Sequence, residues 1–128
     1  TVLKDYRRIV LLINSASEFM EAVYSEDFDV SEVLETVFEK GMEHKLHFFM
    51  ALSPREYEEL AGYRALRQFG SWKQGIHLGG AFDEQGIFDY EVTPSERSRT
   101  YPAGAAFTEQ EGKTVLFMTP FVKEGKYE

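Results

Sequence analysis

The chain has 128 residues, 43% of them hydrophobic, no cysteine and a formal charge of −8. That length fits one domain able to bury roughly two thirds of the surface its unfolded chain exposes. The absence of cysteine excludes disulfides and thiolate metal sites. The charge argues against a general nucleic-acid binder, which needs a basic stripe to displace counterions, and no apolar run approaches the ~20 residues that span a bilayer.

In chain order, the first signal lies between Tyr6 and Ser15. Arg7 and Arg8 lead into the apolar run Ile9 to Ile13, which stops at Asn14 and Ser15. The run, taken at about residues 8–13, reads as a buried parallel strand delivering polar groups to the rim of an α/β sheet. Ser15 to Glu18 has the spacing of a capping box and predicts a helix with Phe19, Met20, Val23 and Tyr24 inward. Residues 25–28 read as a loop. Asp29 to Glu32 resembles a second box, with Asp as cap, and Val30, Val33, Leu34, Val37 and Phe38 recur at helical spacing up to Gly41. Leu46 to Leu52 is again almost wholly apolar and is expected as a central strand, with Phe48 and Phe49 in the core. Ser53, Pro54 and Glu56 then give a cap, a proline at the first helical position and an acid three after the cap. That helix is predicted to run to about Gln68, with Gly70 and Ser71 ending it.

The second half changes character. Gln74 to Leu78 reads as a strand closed by Gly79 and Gly80, followed by a loop-rich stretch punctuated by Asp83, Gly86, Pro94, Pro102 and Gly104. Ala105 to Thr108 and Thr114 to Met118 read as a hairpin around Glu111 and Gly112, with Phe117 inward. The order β-α-α-β-α-β plus hairpin predicts an α/β fold: a mainly parallel sheet flanked by helices, with an antiparallel edge.

Few constellations carry chemistry. Gly112, Lys113 and Thr114 imitate the end of a P-loop, but the required earlier glycine position is Phe107 and a strand follows instead of a helix. His44 and His47 stand three apart without a third ligand nearby, whereas zinc takes three or four. His77, among apolar neighbours, reads as a core histidine. Ser53 is either a hydroxyl at a ligand crevice or simply a helix cap. Arg64 and Arg67 share a helix, either reaching a neighbouring subunit or forming a solvated face. Asp83, Glu84 and Asp89 would form a small acidic rim.

Arg8 to Asn14, Phe38 to Gly41, Leu46 to Ser53, Arg64 to Phe69 and Ile76 to Gly80, in that order, resemble the latter half of an FtsK/SpoIIIE-type ATPase domain. The pattern is most similar to a degenerate C-terminal ATPase module of the type VII secretion EssC/EccC family, and it spans residues about 6–120. The resemblance implies a partial P-loop NTPase-like (RecA/FtsK-like) fold ending in a β-hairpin. Asn14 stands where the family has its Walker B acid, Ser15 follows it, and Ser53 takes the polar sensor position. An amide and a hydroxyl are neither strong Mg²⁺ ligands nor bases near neutral pH.

The implied role is a non-hydrolysing module that recognises secretion substrates or regulates neighbouring ATPase domains. Its partners would be those domains, a WXG100-type helical hairpin, and, through an exposed edge strand, a second copy as a homo-oligomer. Arg64, Arg67, Trp72, Phe82, Phe88 and Tyr90 are the interface candidates, with the core as the alternative place for each of the four aromatics. No metal, nucleic acid or direct membrane insertion is expected. Thr1 in place of Met points to a fragment of a larger protein, and the resemblance places it in the cytoplasm as a soluble part of a membrane-anchored one. The alternative is an active site completed by a Walker A segment elsewhere, with ATP and Mg²⁺ bound near Asn14 and Ser53. A third reading is an unrelated small α/β binding domain.

Overall fold

The computed structural model describes residues 7–120, the side chain of Met42 excepted. Tyr6, where the first segment begins, lies outside the described residues. The chain divides into two compact units, one running to Trp72 and the other starting at Lys73.

The first unit contains β1 (Ile9–Ile13), α1 (Ala16–Val23), α2 (Ser31–Lys40), a 3₁₀ turn (Gly41–His44), β2 (Leu46–Met50), α3 (Pro54–Glu59) and α4 (Arg64–Gly70). β1 and β2 pair in parallel, with Ile9 opposite Leu46 and Ile13 opposite Met50. Ala16, Met20, Phe38, Leu60, Ala65 and Leu66 form the core, and Phe48, Met50 and Leu52 pack against it. The Phe38 ring meets Phe48 edge-on, 4.9 Å between centroids. Helical spacing puts Met20 and Val23 of α1 and Phe38 of α2 inward, but Val33, in the same expected α2 series, is 64% exposed.

Several local expectations give way. The capping box at Ser15 does not form: Ser15 occupies the N-cap position of α1 but makes no side-chain cap bond. In the second box, the Asp29 carboxylate accepts the Ser31 N–H at 2.8 Å, but α2 begins after Val30. The helix expected to reach Gln68 breaks into α3 and α4. Gly62 lies in the turn between them, where its low helix propensity makes interruption inexpensive. The box at Ser53 forms in full, with Pro54 at the start of α3.

The second unit contains β3 (His77–Gly80), a 3₁₀ turn (Phe82–Glu84), α5 (Pro94–Arg97), β4 (Tyr101–Gln110) and β5 (Lys113–Met118). These strands form an antiparallel sheet in the order β3-β4-β5. β3 therefore does not join the parallel sheet, contrary to the expectation of one mainly parallel sheet; among the described residues that sheet holds only β1 and β2. Gly79 and Gly80 both have positive φ, 61° and 70°, and the β3–β4 register slips between Leu78 and Gly80. Side-chain-bearing residues resist that conformation, so the glycine pair permits the bulge. The β4–β5 turn is Glu111 and Gly112, both at positive φ, as a tight two-residue hairpin requires. Phe82, Tyr90, Tyr101, Ala105 and Phe107 make the core. His77 is buried with them, its Nε2 2.6 Å from the Gly79 carbonyl.

Candidate functional site

The carboxyl ends of β1 and β2 lie side by side. Ile13 is opposite Met50, and the Ala51 N–H donates to the Ile13 carbonyl at 2.9 Å. Asn14 and Ser15 leave one strand and Ser53 follows the other, so the fold brings these positions to one end of the parallel pair, where open α/β sheets form ligand crevices.

Their states differ. Asn14 is exposed, and the Ser15 hydroxyl makes no cap bond. Ser53 is committed to its helix: its Oγ accepts the Glu56 N–H at 3.2 Å and donates to Glu56 Oε2 at 3.0 Å, while its N–H donates to the same oxygen at 2.8 Å. The Ser53 backbone donor, followed by its hydroxyl, holds the Glu56 carboxyl below the usual carboxylate value. Of the two readings of Ser53, the cap is the one its hydrogen bonds express.

The arginines also have local partners. Arg64 pairs with Glu35 at 3.3 Å. Glu35 accepts the Tyr24 hydroxyl at 3.2 Å, and that hydroxyl accepts the Ala65 N–H at 2.9 Å. This chain ties the entry of α4 to α1 and α2. Burial is the main reason the Tyr24 phenol is pushed above its ordinary value. Arg67 donates to the carbonyls of Ala61 and Gly62, fastening the α3–α4 turn. Trp72 is 46% exposed at the end of the first unit.

In the second unit Phe82 is core rather than surface, its ring 4.3 Å from Phe107 between centroids. Tyr90 is also buried, and its hydroxyl donates to the Phe107 carbonyl at 3.0 Å. Burial pushes its phenol up to about 12. Phe88 is half-buried and, with Phe82, Tyr90, Val92 and Arg97, lines a hollow of about 290 Å³. Asp89 pairs with Lys73, and Glu84 accepts the Ala81 N–H at 3.3 Å, so these acids have local tasks.

Sequence reasoning missed two residues here. Gln85 Oε1 accepts the N–H groups of Ile87 and Phe88 at 2.8 and 2.7 Å. Its Nε2 donates to the carbonyls of Phe82 and Phe88 at 3.3 and 2.8 Å, so one amide holds the loop that carries Phe88. No local pattern announces such a residue. Thr93 was legible: Thr93, Pro94 and Glu96 repeat the spacing of Ser53, Pro54 and Glu56, and a full capping box opens α5.

The most unusual surface is β1 itself. Leu12 is 78% exposed and Val10 52%, and Phe49 beside Leu12 is 60% exposed. The strand expected to be buried is open to solvent, and Phe49, expected in the core, points away from the face covered by helices. Parallel strands are usually covered on both faces; here the described residues cover one.

No protein-family model matches the chain, and no curated protein does. Among solved structures it resembles "The cytoplasmic domain of EssC", with a TM-score of 0.61 and 18% identity. The match covers 92% of this chain and 22% of that one, so the chain spans about a fifth of the length of the structure it resembles. At that identity the likeness shows the fold, a mixed α/β arrangement. Among the described residues no helix is long and apolar enough to cross a membrane.

Proposed function

We propose that this chain is a non-hydrolysing, EssC-like module of a type VII protein secretion motor, acting in the cytoplasm on substrate recognition or on neighbouring ATPase domains. The fold likeness to an EssC cytoplasmic domain over most of the chain supports the architecture. The observation that carries the functional reading is the chemistry at the carboxyl ends of β1 and β2. Asn14 stands where an FtsK/SpoIIIE-type site needs an acid, and the hydroxyl of Ser53 is engaged by Glu56. Phosphoryl transfer in P-loop enzymes depends on a metal-holding acid and a group that orients water. An amide and a capped hydroxyl supply neither. A module of this kind contributes through its surface, and a helix-in-groove contact with apolar anchors is the expected mode.

The test is fluorescence anisotropy of a labelled C-terminal tail peptide from a WXG100 protein, titrated with this chain with and without MgATP. Saturable binding that is indifferent to MgATP is the expected result. Binding that appears only with MgATP would favour the alternative, an ATP site completed by another segment. Absence of binding in both arms would overturn substrate recognition and leave the regulatory role.

A further inference from the structure

The hollow in the second unit is built from one short stretch of chain. Its lining residues all fall within residues 82–97, inside that unit. It holds about 290 Å³. At ~30 Å³ for each water molecule, that space suits a ligand of about ten non-hydrogen atoms. Its walls are tied down. Phe82 packs edge-on against Phe107, and the Tyr90 hydroxyl donates to the Phe107 carbonyl. Gln85 spends both ends of its amide on the loop that carries Phe88. The Thr114 hydroxyl donates to the Glu91 carbonyl at 3.0 Å. Walls fixed in advance lower the ordering cost of binding.

The charges at the rim are not equally occupied. Asp89 is paired with Lys73. Glu96, beside Arg97, accepts the N–H and the hydroxyl of Thr93 at 2.8 and 2.6 Å. Glu91 and Arg97 remain, both exposed and both lining the hollow. Among the described residues no hydrogen bond or ion pair engages either charged group, and none joins the two.

We propose that this hollow binds a free α-amino acid with an apolar side chain. Arg97 meets its carboxylate, for which a planar guanidinium offers two parallel donors. Glu91 meets its ammonium group. The side chain lies against Phe88 and Val92, the half-buried apolar walls. A few polar groups fixing the orientation of an apolar body is the usual plan of a small-molecule site. The rim also argues against simpler ions. A cation would meet Arg97, and an anion would meet Glu91 and Asp89, so each faces a like charge. A ligand carrying both charges satisfies both free groups. The inference goes beyond the secretion reading and does not rest on it, because it uses only the hollow and its rim.

Titration of the isotope-labelled chain with L-phenylalanine, read by amide chemical shifts, tests it. Saturable shifts are expected at Phe88 to Val92 and at Arg97. Phenylalaninamide lacks the carboxylate and N-acetylphenylalanine lacks the ammonium group. Each is expected to bind about tenfold more weakly, the loss of one charge-assisted hydrogen bond. Glycine, with both charges and no apolar group, is expected to give no saturable shift. Arg97→Gln should bring L-phenylalanine to the affinity of phenylalaninamide, and Glu91→Gln to that of N-acetylphenylalanine. Both side chains are exposed, so the circular dichroism spectra of these variants should not change. The analogues need no variant, so the test stands even where a substitution unfolds the chain. No saturable shift with L-phenylalanine, or shifts confined to residues outside the hollow, would overturn the proposal. Equal affinity for the free amino acid and both blocked analogues would overturn it too, in favour of a peptide segment as occupant. So would folded variants that bind L-phenylalanine as the natural chain does.

Discussion

The parallel strands of the first unit are far more apolar than the antiparallel strands of the second, yet they bury less of that character. β1 presents Ile9 to Leu12 to solvent, and β2 exposes Phe49 while Phe48 and Met50 pack inward. In the second unit, Tyr101, Ala105 and Phe107 of β4 are buried against Phe82 and Tyr90. The difference teaches that apolar content alone does not build a core. β4 receives its cover from the adjoining loop and 3₁₀ turn of its own unit, whereas the first unit's helices cover one face of a pair of strands that is apolar on both.

Truncating the ring cluster should break the second unit most severely. Phe107 is 3% exposed and stacks against Phe82 and Tyr101, so Phe107→Ala is expected to cost about 3–5 kcal/mol in urea unfolding. A matched pair of leucines sharpens the contrast within the first unit. Leu66 is fully buried, and Leu66→Ala should cost about 2–5 kcal/mol. Leu12→Ala, at the exposed strand, should stay within about 0.5 kcal/mol. Equal losses at the two leucines would mean that β1 is covered in solution.

The loop that covers the second unit offers the next test. Gln85→Ala removes four hydrogen bonds to backbone groups and is expected to cost about 1–3 kcal/mol, with faster amide exchange at Ile87 and Phe88. Caps give a smaller effect. Ser53→Ala should cost about 1 kcal/mol and Ser15→Ala almost nothing, because only Ser53 accepts a helix N–H.

Titration gives the finest comparison. The Ser31 side chain, then its backbone N–H, lowers Asp29; the Ser53 backbone lowers Glu56 foremost; the Thr93 hydroxyl lowers Glu96 foremost. A carboxyl lowered on folding adds stability above its unfolded value, and that stability is lost as pH falls through the folded value. Melting temperature should therefore decline on acidification below the ordinary carboxylate range, with Glu56→Gln flattening part of the decline. Tyr90 has the opposite sense: its phenol is raised from 10 to about 12, so its contribution is present below pH 10 and lost as pH climbs towards 12. An ultraviolet titration should find it among the last tyrosines to ionise.

Much of the local structure was legible. The strand at Ile9, the box at Ser53, the hairpin at Glu111 and Gly112, and the burial of His77 all follow from short-range patterns. The candidate site was legible only as a position. The sequence places Asn14, Ser15 and Ser53 after apolar strands, but Ser15 and Ser53 look alike as caps, and only Ser53 makes the bonds. Phe82 and Phe88 read alike, as interface candidates with the core as the alternative; the first is core and the second half-buried, a distinction set by the loop that Gln85 holds.

What the sequence determined by itself is what neighbours within a few residues can enforce: helix starts, turn conformations, and the periodicity that sends Met20 and Phe38 inward. The tertiary structure alone decided that β3 pairs with β4 rather than with the parallel strands, and that β1 lies open. Both outcomes depend on which backbone groups meet across long separations of chain. An aliphatic strand carries the same sequence signal whether its second face is buried or bare, because the pattern records only its own side chains and not what arrives to cover them.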